Sequence, residues 1–134
     1  MANVIKLKKG LDIPLKGQPE AHIVEAPASE YYALVPDDFH GIVPKVVVKP
    51  GDKVKIGTPL WFDKSNPALQ FVSPVSGEVS AVNRGERRKV LNVTVKSDGK
   101  KESVEVAVPK INELTGEQVK EMMLQYGLFP FIKQ

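Results

Sequence analysis

The chain has 134 residues, of which 42% are hydrophobic and 26% are charged, so it is large enough for one globular core and too small for two large domains. Its 19 basic and 16 acidic residues leave a formal charge of +3, too small an excess for a protein that binds nucleic acid mainly through phosphate contacts. No cysteine is present, which excludes disulfides, thiolate nucleophiles and cysteine-ligated zinc or iron–sulfur sites.

Most of the chain has the pattern of short strands. β-Branched runs separated by glycine and proline are typical of a β barrel or sandwich. The runs occupy residues 4–7, 23–25, 31–34, 45–48, 59–62, 69–72, 78–82, 90–96 and 104–108. None approaches the roughly 20 apolar residues of a membrane-spanning helix. His22 and His40 lack partners at metal-ligand spacing, so we expect surface histidines and no metal site.

Near residue 48 the pattern becomes more specific. Residues 48–60 read V-x-x-G-D-x-V-x-x-G-x-x-L, which predicts inward-facing Val48, Val54 and Leu60 and a tight turn at Gly51 with positive φ. A second turn and strand of similar pattern follows at residues 73–82. This repeat resembles the biotinyl/lipoyl family and its barrel-sandwich hybrid relatives. The resemblance implies a mainly β barrel-sandwich hybrid. The residues from Thr115 onward add one short C-terminal helix to this fold.

Lys64 is the candidate for a covalent cofactor if the chain is a carrier domain. The pair Asp63-Lys64 is similar to the acceptor of lipoyl domains, but Ser65, Asn66 and Pro67 follow it, and no methionine flanks it as in biotin acceptors. We therefore favour an unmodified turn lysine. A lipoyl- or biotinyl-type carrier using Lys64 stays open as an alternative.

A basic loop follows the second repeat. Arg84, Arg87, Arg88 and Lys89 bring four cations into six positions, opposed locally only by Glu86. Guanidinium groups suit carboxylates and phosphates. The loop has neither a helix N-terminus nor a glycine-rich cradle, which a nucleotide site would normally add. The alternatives are a solvated or internally paired loop, an intersubunit contact and a nucleotide site, and we take the four cations as candidate partner-binding residues.

One helix is predicted late in the chain. Thr115 can cap it, Gln118 completes a capping box, and Gly127 ends it. Apolar residues recur between these points at helical spacing, and we expect them to pack on the β core: Val119, Met122, Met123 and Tyr126. We divide the chain into a β domain with an N-terminal extension over residues 1–112, and this helix with an apolar tail over residues 113–134.

The tail is an apolar run over residues 128–132. An uncovered run of this kind is typical of an interface. We predict that Leu128, Phe129 and Phe131 contact a partner, and we expect the chain to be the first part of a longer protein whose further domains would supply that contact.

Two stretches carry a narrower resemblance. Residues 10–14 read GLDIP and residues 83–88 read NRGERR. With residues 63–67 and 73–77 they resemble the N-terminal region of the A subunit of sodium-translocating NADH:quinone oxidoreductases (Nqr), and more weakly the C subunit of Rnf electron-transport complexes. The resemblance covers nearly the whole chain.

That resemblance implies a soluble cytoplasmic subunit, peripheral on the inner face of the bacterial inner membrane. Its complex moves electrons from NADH to ubiquinone and exports sodium, with flavins and an iron–sulfur cluster on other subunits. It implies other subunits as partners and no catalytic residue or cofactor on this segment, which we interpret as a structural and docking domain. A quinone- or flavin-binding module stays open as a second alternative.

Overall fold

In the computed structural model of the protein, which describes residues 16, 17, 20–107 and 109–132, antiparallel strands form two sheets around one core. The strands are β1 (Tyr31–Leu34), β2 (Pro44–Val46), β3 (Lys53–Val54), β4 (Pro59–Asp63), β5 (Gln70–Val72), β6 (Gly77–Arg84) and β7 (Val90–Ser97). One sheet has the order β1-β7-β6-β3 and the other has the order β2-β4-β5. Six of these strands overlap the predicted runs, and the two-residue β3 lies between the turns at Gly51 and Gly57, where the pattern of residues 48–60 also predicts a strand.

The core lies between the two sheets. Its buried members are aromatic or β-branched, with one leucine: Val54, Leu60, Trp61, Phe71, Val79, Val93 and Val95. The rings of Trp61 and Phe71 stack with centroids 3.7 Å apart. The ring of Phe39 forms T-shaped pairs with both, with its centroid 5.9 Å from that of Trp61 and 4.7 Å from that of Phe71. The predicted inward positions are confirmed, since Val54 and Leu60 are buried and Val48 packs against the same cluster.

A bulge in β4 increases the number of side chains that this strand buries. Pro59 lies opposite Val72 and Trp61 lies opposite Phe71, so Leu60 is an extra residue. Leu60 and Trp61 are therefore adjacent and both fully buried. Phe62 is half-buried, with the Lys45 ammonium 5.5 Å from its ring centroid.

The turn after β2 has the predicted backbone. Gly51 has a φ of 92°, which confirms the positive value expected from the sequence. Its N–H donates to the carbonyl of Val79 at 2.8 Å, which joins this turn to β6.

The helix begins and ends as predicted, although its packing differs. Helix α1 (Gly116–Gln125) starts with a capping box, in which the Gln118 N–H donates to Thr115 Oγ1 and the Thr115 N–H donates to Gln118 Oε1. At Gly127 the backbone lies directly against Val72 of β5. No residue of α1 is fully buried, and Met122 is only half-buried. The expected packing on the β core is therefore only partial: Met122, Met123 and Tyr126 are half-buried, whereas Val119 is exposed.

Two of the predicted strands are absent from the described residues. Residues 23–25 form no strand, and Ile23 is 97% exposed, because no other strand pairs with this segment. Residues 104–107 form no strand either. The preceding residue, Ser103, makes a parallel bridge with Ile56, and the Val104 N–H donates to the carbonyl of Ile56. Residue 108 and the predicted strand at residues 4–7 lie outside the described residues.

Candidate docking surfaces

The basic loop forms the tip of the hairpin between β6 and β7. Its centre is a tight turn over residues 86–89, closed by the Lys89 N–H, which donates to the carbonyl of Glu86 at 3.1 Å. The Gly85 N–H donates to the carbonyl of Lys89 at 2.8 Å. The four cations named from the sequence are therefore brought together, and all four are exposed.

Two of these cations have partners within the protein. Lys89 forms an ion pair with Asp37 at 2.6 Å, but both side chains are more than half exposed, so the pair contributes little to stability. Arg84 donates from Nη1 to the carbonyl of Arg88 at 3.3 Å. Glu86 is thus not the only opposing carboxylate. Asp37 is 52 positions away from Lys89, and no local sequence pattern could have indicated their contact.

The apolar tail folds back onto the barrel. Phe129–Phe131 forms a 3-10 turn, and the rings of Phe131 and Phe39 form a T-shaped pair with centroids 5.7 Å apart. Phe131 nevertheless remains 66% exposed and Leu128 56% exposed. Half-buried Phe129 and exposed Ile132 complete this patch. We name Leu128, Phe129, Phe131 and Ile132 the apolar tail surface.

An open apolar groove of about 640 Å³ runs beside the apolar tail surface. Its apolar lining comes from Leu128 and Tyr126 near the end of the chain and from Ile56, Val104 and Val106 of earlier segments. Sequence reasoning missed Ile56 and Val106 because they come from segments that are distant from the tail in the chain. The groove extends the apolar area that a partner could cover.

Lys64 lies in the loop between β4 and β5 and is exposed. Its N–H donates to the carbonyl of Val43, and the buried carboxylate of Asp63 accepts from the Val43 N–H, so the start of the loop is fixed. The apex of the loop comes later, where the Leu69 N–H donates to the carbonyl of Asn66. Lys64 is therefore accessible but lies before the apex.

A charged groove on the four-stranded sheet was not predicted. Lys53, Glu78, Lys96 and Glu102 contribute to its lining, so cations and carboxylates are mixed. The hydrogen bond that the Lys96 ammonium donates to the Glu30 carboxylate is the largest cause that raises the pKa of Lys96. Because the two signs of charge largely offset each other, this groove has no strong preference for a charged ligand.

Among the described residues, no group of three or more histidine and carboxylate side chains could hold a metal ion. His22 is exposed with its Nδ1 3.1 Å from a Glu20 carboxylate oxygen, and His40 is exposed as well. In the part of the chain that the structure describes, every helix is too short or too polar to cross a membrane.

Residues 5–98 match the family described as the NqrA N-terminal barrel-sandwich hybrid domain. The chain belongs to this family. The fold predicted from the sequence, a mainly β barrel-sandwich hybrid with one short helix, is thereby confirmed.

Curated relatives extend the match to almost the whole chain. The A subunit of the Na(+)-translocating NADH-quinone reductase of Yersinia pestis is 39% identical over 132 residues, which cover 97% of this chain and 30% of the relative. The proteins of the same name from Pseudomonas aeruginosa PAO1 and Neisseria meningitidis MC58 are 39% and 37% identical, with the same coverage. The chain thus spans less than a third of the length of these relatives, and the resemblance to the NqrA subunit is confirmed.

Proposed function

We propose that this domain is the N-terminal part of the NqrA subunit of a Na(+)-translocating NADH-quinone reductase and that its role there is docking, without a catalytic residue of its own. The identity of 39% over 97% of the chain supports the first part. We place the NqrA subunit in the cytoplasm, peripheral on the inner face of the bacterial inner membrane. NADH, flavins, the iron–sulfur cluster, ubiquinone and sodium then bind elsewhere in the complex.

The exposed apolar tail surface is the observation that carries the docking role. Phe131 and Leu128 are large apolar side chains that remain more than half exposed although the tail packs on the barrel. The lining of the adjacent groove is also mainly apolar. Contiguous exposed apolar area of this kind is typical of interaction sites. We propose as partners the other subunits of the complex and the further domains of the NqrA subunit, since the relatives are about three times longer than this chain.

The test is a double substitution, Leu128→Ser with Phe131→Ser, in the complete NqrA subunit within its complex. Two quantities are measured: the amount of NqrA that co-purifies with a tagged partner subunit, and the NADH:quinone reductase activity per assembled complex. We expect recovery to fall several-fold while activity per assembled complex stays unchanged, because removing apolar contacts weakens assembly and not the chemistry.

Ile23→Ser with Val24→Ser is the matched control, since Ile23 is 97% and Val24 73% exposed and both lie outside the apolar tail surface. This control should assemble normally. Normal recovery of the Leu128/Phe131 variant with lost activity per complex would contradict the docking role, because it would place these side chains in the chemistry.

Two alternative functions of the domain are tested separately. A carrier function of Lys64 requires a covalent group that intact mass would reveal. A quinone- or flavin-binding module would retain colour after purification or give a saturable titration with a short-chain quinone. The open apolar groove beside Tyr126 and Val106 is where we would look for such a ligand.

A further inference from the structure

The turn at the tip of the β6–β7 hairpin places two arginines in a backbone conformation that suits glycine. Arg87 has φ 52° and ψ 27°, and Arg88 has φ 63°. The Lys89 N–H closes the turn onto the carbonyl of Glu86. Positive φ at both central residues is the geometry of a type I′ hairpin turn, which is normally occupied by Asn-Gly or Gly-Gly. The conformation is disfavoured for arginine, so the turn itself does not explain these two residues.

The glycine of this loop, Gly85, occupies neither of the two positions with positive φ. It lies beside the turn with φ −98°, a value that any residue adopts, while the arginines occupy the two left-handed positions. Backbone preference alone would favour the reverse arrangement. Strained positions of this kind are concentrated at sites that bind something, where the side chain is needed and its backbone cost is tolerated.

Only two of the four cations at the tip have a partner among the described residues. Lys89 pairs with Asp37, and Arg84 donates to the carbonyl of Arg88. No ion pair within the described residues engages the guanidinium of Arg87 or Arg88. These two groups are exposed at the tip of a hairpin whose backbone hydrogen bonds hold it in place.

We propose that Arg87 and Arg88 bind carboxylates on the surface of another subunit of the complex, as the polar part of a docking contact. The proposal rests on the docking function above but uses a different surface. Leu91 lies against Gly85 and is 43% exposed, so an apolar contact is available next to the two guanidiniums. Arginine beside an exposed apolar side chain is typical of protein interfaces, where guanidinium forks bind carboxylates in a fixed geometry.

A membrane surface fits these observations less well. Electrostatic attachment to anionic lipids uses clusters of about four to eight basic residues and needs no fixed backbone geometry. Here Glu86 and Asp37 offset two of the four positive charges at the tip, and the turn holds Arg87 and Arg88 in one arrangement.

The test uses the complete NqrA subunit with Arg87→Asn and Arg88→Gly, which removes both guanidiniums and supplies the residues that the turn prefers. Binding is measured to the complex purified from cells that lack NqrA. We expect an affinity at least about tenfold lower at low salt. The difference from the wild type should shrink as salt rises, because salt screens the lost attraction. The unfolding temperature should be unchanged or higher.

Lys100→Asn with Lys101→Gly is the matched control. It removes two exposed cations and also places glycine where Lys101 has φ 56°, but on a different turn. This variant should bind like the wild type. A second variant, Arg87→Lys with Arg88→Lys, keeps the charge and should recover only part of the affinity if the guanidinium fork is required.

Four outcomes would overturn the proposal. Affinity of the Asn-Gly variant within twofold of the wild type would remove any role in binding. A clear fall in its unfolding temperature would make the arginines structural. Loss of binding to phosphatidylglycerol vesicles, with binding to the depleted complex unchanged, would assign them to a lipid surface. Normal assembly of this variant together with failed assembly of the Leu128/Phe131 variant would reject the arginine contact and leave the docking function standing.

Discussion

Ser76 and Asp98 join the start of β6 to the turn after β7. The Ser76 hydroxyl is buried and donates to Asp98 Oδ1 at 2.6 Å, while its oxygen accepts from the Glu102 N–H at 3.1 Å. Asp98 also accepts from the Lys100 N–H at 3.0 Å. The Ser76 hydroxyl first, and then the Lys100 N–H, hold the pKa of the Asp98 carboxyl below its ordinary value.

This lowered pKa predicts a loss of stability in acid. Because the folded pKa of Asp98 lies below its unfolded value near 3.8, the stabilisation is complete above that value and is lost as the pH falls through the folded pKa. Asp98→Asn should therefore unfold at a lower temperature at neutral pH and lose less stability on acidification. Thermal unfolding between about pH 6 and pH 2 measures both effects.

Glu121→Gln, at an exposed carboxylate of α1, is the control and should follow the wild-type pH profile. An Asp98→Asn profile parallel to that of the wild type at every pH would contradict the prediction.

Gly51 and Gly77 provide a second prediction at the scale of single residues. Both have positive φ, but a β-carbon at Gly51 would meet nothing within 4 Å, whereas one at Gly77 would lie 1.9 Å from the carbonyl oxygen of Lys96. Gly51→Ala should lower the free energy of unfolding by about 1 kcal/mol through backbone strain alone. Gly77→Ala should cost roughly 3 kcal/mol or more, because β7 must also move. Urea unfolding distinguishes the two, and equal costs would contradict this explanation.

At the scale of elements, α1 depends on its cap to an unusual degree. None of its residues is fully buried, so tertiary packing contributes less than in a core helix, and the Thr115–Gln118 capping box satisfies N–H groups at its start. We expect Thr115→Ala to destabilise the helix by about 1 kcal/mol. Amide exchange should accelerate in residues 116–121 and stay unchanged in β6 and β7. Uniform acceleration throughout the domain would show that the helix and barrel unfold together.

The elements also show where sequence reasoning succeeds and where it fails. The helix was predictable because its cap, its apolar spacing and its terminal glycine are all local signals. The bulge at Leu60 was not, since alternation assigns only every second side chain to the core. The failed strand at residues 23–25 has the composition of a strand but no neighbouring strand, and pairing partners cannot be read from one short segment.

For the whole molecule, the absence of a covalent cofactor is a further prediction. Lys64 is exposed but precedes the apex of its loop, whose start is held by hydrogen bonds with Val43. We expect the protein purified from its native host to have the mass of its sequence. A lipoylated protein purified from the same cells is the control for an active ligase. An added lipoyl or biotinyl group on Lys64 would contradict the prediction and favour the carrier alternative.

The family and fold were predictable from the sequence because turn and core positions recur with fixed spacing and because residues 10–14 and 83–88 are specific. The geometry of the basic loop and of the apolar groove was less predictable. The four cations of the basic loop are neighbours in the chain, yet the positive φ of Arg87 and the ion pair of Lys89 with Asp37 depend on the folded hairpin and on a segment far away. The groove beside the apolar tail surface likewise combines three distant segments.

The aromatic cluster gives the protein an intrinsic optical reporter. Trp61 is the only tryptophan, and its buried ring packs against Phe39, which also packs against the exposed ring of Phe131. Near-ultraviolet circular dichroism responds to the fixed packing of aromatic rings. A partner that moves Phe131 therefore changes a signal that originates in the core, so docking on the apolar tail surface can be followed without any label.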